Sequence, residues 1–157
     1  MRHWSDEMAH TLLRVSSVAD WQSYHDIRRS VLWQERGLHG YDESRPEERL
    51  LHHHPLLLRF NGRGAGTTRL DNLRDGTGIA RLVAVCAALR GQGHGRILDT
   101  MVKEYANKLG LHTLFVNAAA DALGFYTSTG WGRLVHNRPQ LLEQADECVP
   151  MQITIVR

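Results

Sequence analysis

No long apolar run occurs anywhere in this chain of 157 residues. Nothing approaches the ~20 consecutive apolar residues that a bilayer crossing needs. The opening MRHWSDEMAH has no signal-peptide core. The expectation is a cytoplasmic protein with no membrane partner. Cysteine is scarce too, limited to Cys86 and Cys148. Because Cys86 sits inside an apolar run, a reduced core thiol is expected rather than a disulfide. Excess charge of one sign is also missing. The net charge is +2 and the two signs alternate along the chain, too small an excess to argue for a nucleic-acid surface, and no nucleic-acid partner is expected. Only Lys103 and Lys108 of the 19 basic residues are lysines, a bias that more often reflects genome composition than function. Repeats and low-complexity linkers are absent, so residues 1–157 are read as one domain with one core.

What is present is an orderly alternation of element signals. Residues 11–18 read as a strand, and Asp20 as the N-cap of a helix from Trp21 to Arg36 that Gly37 stops. Residues 38–54 are polar, with a short helix expected near Glu47–His52. Three apolar runs follow, Pro55–Phe60, Ala65–Leu73 and Gly78–Ala88, joined by the hairpin signals Asn61-Gly62 and Asp75-Gly76. The third is nearly all apolar, as a strand covered on both faces would be. The clearest helix spans 96–109, with Ile97, Leu98, Met101, Val102, Tyr105 and Leu109 on one stripe. A strand at His112–Asn117, a short helix capped by Asp121, a strand at Trp131–Val135 and a terminal strand MQITIVR complete the order. Such an order predicts a mixed sheet with helices packed on it.

Between the third run and the clearest helix lies LRGQGHGRIL, residues 89–98. A helix N-terminus offers amides without intrahelical partners and the positive end of the dipole, and glycines let a phosphate approach them. Gly91, Gly93 and Gly95 are expected to clear that approach. The amides of Gln92 to Arg96 are the expected donors, Arg96 can add charge, and His94 is expected to be exposed. A Walker loop would need Gly-Lys-Ser/Thr where Gly95-Arg96-Ile97 stands. The dinucleotide fingerprint needs different glycine spacing and a later acid.

The pattern Arg90-Gly91-Gln92-Gly93-His94-Gly95 does fit R-x-x-G-x-G. It resembles the pyrophosphate loop of the GNAT superfamily of acyl-CoA-dependent N-acetyltransferases. Phe125-Tyr126-Thr127-Ser128-Thr129-Gly130-Trp131 is similar to that family's downstream signature, at the family's spacing. The resemblance implies a GNAT-like α/β (α+β) fold: a mixed, mostly antiparallel sheet of six to seven strands with helices on both faces. It implies acetyl-CoA as co-substrate, with no metal. The splayed strand end Val83, Ala84 and Val85 would pair with the pantetheine arm, and Arg90 to Arg96 would cradle the pyrophosphate. Ala119 stands where many members carry Asn or Gln, and Asn117, two residues earlier on the same strand face, is the expected substitute.

For mechanism, the resemblance implies direct transfer to an amine. An alkyl ammonium of pKa ~10.4 is neutral in only about one molecule in 10³ at pH 7, so a base or a water chain is required. Tyr126 matches the residue that assists thiolate departure. Gln34-Glu35-Arg36-Gly37 resembles an acceptor-side element, and Glu35, ahead of Glu43 and Asp71, is the expected base. Strand carbonyls acting through water are the alternative. Acids at 35, 42, 43, 47 and 48 favour a cationic amine, offset by Arg36, Arg45 and Arg49. The acceptor is expected to be a small-molecule amine. The resemblance leaves a homodimer open. His52-His53-His54 cannot all face one ion from a regular element. Two other readings remain open: a non-catalytic acyl-CoA-binding module, and a phosphate- or nucleotide-binding regulatory domain.

Overall fold

The computed structural model describes residues 10–135 and 148–155. Residues 1–9, 136–147 and the last two residues of the tail lie outside it. Strand β1 spans His10–Arg14, and helix α1 spans Val18–Arg28. The strands β2 His53–Phe60, β3 Arg63–Asn72 and β4 Thr77–Val85 form a meander. Helix α2 is His94–Lys108, β5 is Thr113–Ala119, α3 is Leu123–Ser128, β6 is Gly132–Arg133 and β7 is Cys148–Thr154. Seven strands make one sheet in the order β1-β2-β3-β4-β5-β7-β6. Every pairing is antiparallel except β4 with β5. This is the mixed, helix-covered sheet that the element order predicts. Among the described residues no helix is long and apolar enough to cross a membrane.

Local chemistry explains most boundaries. Asn61 and Gly62 both take positive φ, 52° and 80°, the turn that matches strand twist. The run Leu56-Leu57-Leu58 is wholly buried because both faces are covered. Leu56 and Leu58 pack with Leu98, Val102 and Ala106 of α2, whereas Leu57 packs with Tyr24 and Ile27 of α1.

Three expectations need correction. The cap of α1 is Ser17, whose Oγ accepts from the Asp20 amide at 3.0 Å, so Asp20 sits in the first turn. Ser17-Val-Ala-Asp20 has the spacing of a capping box, and the acid favours the positive helix end. That helix also does not run as α to Arg36. It passes into a π turn at Arg29–Trp33 and a 3-10 turn at Gln34–Arg36 before Gly37 closes it at φ 70°. The Asp121 side chain caps nothing. It lies in a 3-10 turn, Ala120–Ala122, ahead of α3.

Candidate functional site

The site begins where β4 and β5 part. Their parallel pairing runs only from Thr77–Thr113 to Ala80–Val116. Just beyond it, Thr67 faces Ala84 and Arg69 faces Arg81, so Thr68 alone opposes both Leu82 and Val83. That is a β-bulge, with Leu82 at φ 56°, a conformation that costs a non-glycine residue energy. The Thr68 hydroxyl donates to the Arg81 carbonyl at 2.9 Å and pins the bulge. A bulge leaves backbone groups unpaired and bends the strand away from its neighbour. Nothing in the apolar run Leu82-Val83-Ala84-Val85 signals it.

A cavity of about 350 Å³ fills the gap. Val83, Asn117, Asp121 and Tyr126 line it, and so do Trp33, Arg36, Leu38 and Arg81 on the side of α1. The π turn of the first helix swings Trp33 and the segment after it onto this wall. Ala84 instead packs with Leu57 and Tyr24. Val85 packs in the other core layer, and its carbonyl accepts from Arg90 Nε at 3.2 Å.

A 3-10 turn at Ala87–Leu89 carries the chain from this strand into the glycine loop, which opens α2. Gly91 and Gly93 have φ of 77° and 89°, and a Cβ at either would meet nothing within 4 Å. Both conformation and open approach therefore favour glycine there. Gly95 differs from the expectation. A Cβ there would lie 3.3 Å from the Phe125 ring, so its bareness admits that ring rather than a ligand. Gly93 caps α2, and the first intrahelical amide is Ile97, bonded to the Gly93 carbonyl at 3.2 Å. The amides of His94, Gly95 and Arg96 remain free for another acceptor. Gln92 Nε2 donates to the Ala88 carbonyl at 3.2 Å, and Arg96 donates to Ser128 Oγ at 3.1 Å. His94 is not exposed. Its ring is buried, bonded to His10 at 2.9 Å and packed edge-on to Phe60, because helix geometry turns it toward β1 and β2.

Tyr126 is buried between Phe125 and Trp131, with ring centroids 5.3 and 5.5 Å away. Burial pushes its hydroxyl pKa well above the usual tyrosine range, and the nearby Asp99 carboxylate pushes it further. Asp99 is itself held by Trp131 Nε1 at 2.9 Å and Lys103 at 2.6 Å.

The acidic residues between Glu35 and Asp71 are committed to partners of their own. Glu35 does not line the cavity; Arg90 grips it with two bonds, at 2.7 and 3.1 Å. Glu43 pairs with Arg29 at 2.7 Å, and Glu47 with Arg45 at 3.1 Å. Asp42 bonds to Ser44. Asp71 is held by Arg69 at 2.7 Å and Arg81 at 2.8 Å. Glu48 is buried against Arg28, Arg69 and the Tyr24 hydroxyl. Burial alone would raise its pKa, but the Arg28 and Arg69 charges hold it below the ordinary value. The charges of Glu35, Glu43, Glu47, Glu48 and Asp71 are therefore offset by arginines. His52, His53 and His54 contact Arg74, the Glu47 carbonyl and Tyr105 respectively, three separate partners.

Comparison with known proteins now adds to this geometry. Residues 36–155 match the family model for the acetyltransferase (GNAT) domain. The fold is similar to an acetyltransferase of the GNAT family from Staphylococcus aureus, with TM-score 0.76, 14% identity, and 94% of this chain and 100% of that one covered. It is also similar to the ribosomal-protein-S18-alanine N-acetyltransferase of Escherichia coli, with TM-score 0.72, 16% identity and coverage of 94% and 95%. A third likeness is to N-acetylglutamate synthase from Neisseria gonorrhoeae in complex with coenzyme A and L-arginine. There the TM-score is 0.72 and the identity 14%, with 94% of this chain and 34% of that one covered. At these identities the likenesses establish the fold alone, and the proteins' names point to unlike acceptors.

Proposed function

The chain belongs to the GNAT family of acetyltransferases, and on that premise we propose that it transfers the acetyl group of acetyl-CoA to a primary amine of a small molecule, by direct attack in a ternary complex. The observation that carries this reading is the gap where β4 and β5 part, followed along the chain by the open glycines Gly91 and Gly93 and the free amides of α2. The gap suits an extended arm, and the loop with its amides suits a pyrophosphate. The two open glycines are the test of fit, since a Cβ-free cradle beside unpaired amides is what an anionic group requires.

Bound acetyl-CoA would supply an activated thioester and a thiol leaving group. The chain's own residues do the rest. Amides of His94 to Arg96 hold the diphosphate, and unpaired backbone groups of Leu82 and Val83 orient the arm. Asn117, just past the last β4–β5 pair, adds a polar contact in the cavity wall. Tyr126 donates its hydroxyl to the departing sulfur. Because its pKa lies far above that of a thiol, the hydroxyl stays protonated and acts as a hydrogen-bond donor more than as an acid. Glu35 anchors Arg90, and with it the loop. Asp71 and Glu43 are likewise occupied by arginines, so the amine proton leaves through water held by carbonyls of the bulged strand.

A thermal-shift comparison of acetyl-CoA, coenzyme A, ATP and NAD tests the assignment. A ligand at about 100 times its Kd stabilises by ~2.7 kcal/mol, which is roughly 5–10 °C for a domain of this size. The expected result is a shift with both coenzyme A compounds and none with ATP or NAD. No shift with the coenzyme A compounds would remove the reading, and shifts with ATP or NAD would favour a nucleotide-binding regulatory domain.

A further inference from the structure

The ionisable side chains lining the cavity are unevenly placed. Among the described residues they are Asp121 and Tyr126 from the connection after β5, the Cys148 thiol at the start of β7, and Arg36 and Arg81 from the side of α1. Arg81 is already bonded to Asp71. Arg36 differs from its neighbours. Arg29, Arg45 and Arg90 each hold a carboxylate, and adjacent Glu35 is taken by Arg90. Arg36 has no such partner among the described residues and stands exposed on the 3-10 turn at the cavity wall. Asp121 is exposed too, with no helix to cap, and lies five residues before the tyrosine assigned to the reacting end.

From this polarity we infer that the acceptor is a zwitterion, an amine that also carries a carboxylate, with Arg36 binding the carboxylate and Asp121 receiving the ammonium beside Tyr126. The inference rests on the acetyl-transfer reading for which end of the cavity reacts. The charge arrangement itself does not depend on it. An arginine fork matches a carboxylate in two parallel bonds, which a neutral amide cannot reproduce. An ammonium placed by a carboxylate is held close to where it must lose its proton, without that carboxylate being the base.

The test is calorimetric titration of the coenzyme A-loaded full chain with the common α-amino acids and their carboxamides. The titrations are repeated without coenzyme A and on the variant Arg36→Gln. At least one amino acid is expected to bind about tenfold or more tightly than its carboxamide. Arg36→Gln should erase that difference and leave the affinity for coenzyme A unchanged. Asp121→Asn should weaken acid and carboxamide alike, since both carry the ammonium. Finding no acid preferred over its carboxamide overturns the inference. So does Arg36→Gln weakening coenzyme A instead, which would put Arg36 on the cofactor. Selection of the acid by a chain that does not bind coenzyme A would sink the acetyl-transfer reading and leave the zwitterion site standing.

Discussion

Replacing Tyr126 by phenylalanine removes one oxygen from the cavity wall and little else. The ring keeps its neighbours Phe125 and Trp131, so the fold and the affinity for acetyl-CoA should be nearly unchanged. Under the proposed role, what disappears is a hydrogen bond to sulfur, which gains negative charge only as the thioester breaks. Bonds to charged groups contribute about 1.5–3 kcal/mol, so kcat should drop by roughly 10- to 150-fold. The raised hydroxyl pKa adds a second signature. Burial and Asp99 keep the phenol protonated well above pH 10, so this residue should impose no descending limb on kcat at alkaline pH. Steady-state thiol release between about pH 6 and 10, with the acetyl-CoA Kd measured separately, reads both effects. An unchanged kcat in Tyr126→Phe would refute the role. A Kd rising in step with the loss of rate would show a ground-state contact rather than transition-state stabilisation.

Other perturbations test the supporting structure. Glu48→Ala leaves Arg28 and Arg69 buried with one shared counter-charge fewer, so unfolding free energy should fall by about 3–5 kcal/mol. A loss under ~1 kcal/mol in urea titration would mean that the network is not worth its burial. Gly93→Ala places a side chain at φ 89° on the helix cap. That conformation costs roughly 1–2 kcal/mol, and the acetyl-CoA KM should rise by about 5- to 30-fold without a matching change in kcat. Acid should destabilise the protein early. His10, His25 and His54 are held below their ordinary pKa, first by burial and then by nearby positive charge. The unfolded chain therefore takes up protons that the native state refuses. Stability is fully present above about pH 6.5 and falls as pH drops below it. A urea midpoint equal at pH 7 and pH 5.5 would contradict this.

The elements were readable where local chemistry decides them. Asn61-Gly62 announced its turn, the Leu98 stripe its helix, and Gly91 and Gly93 the tight loop that opens it. Other features depended on partners far away in sequence. The bulge at Leu82 is set by Thr68 on the neighbouring strand. The burial of His94 depends on His10 and Phe60, more than thirty residues away. Glu35 looked free because Arg90 lies fifty-five positions on. The Ser17 cap could have been found, since Ser-x-x-Asp was present, but Asp20 competed for the same role. Which arginine offsets which acid along 35–48 was hidden for a related reason. A carboxylate's charge means little until its arginine is located.

Acetyl transfer itself is best tested by following the acetyl group. The chain would be mixed with acetyl-CoA labelled in the acetyl carbon and a pool of small amines, quenched within one turnover, and separated. The account predicts label on an amine, free coenzyme A in equal amount, and none on the protein. Label retained on the chain, for example on the Cys148 thiol in the cavity wall, would contradict direct attack, and label remaining on coenzyme A with every amine would contradict the transfer altogether.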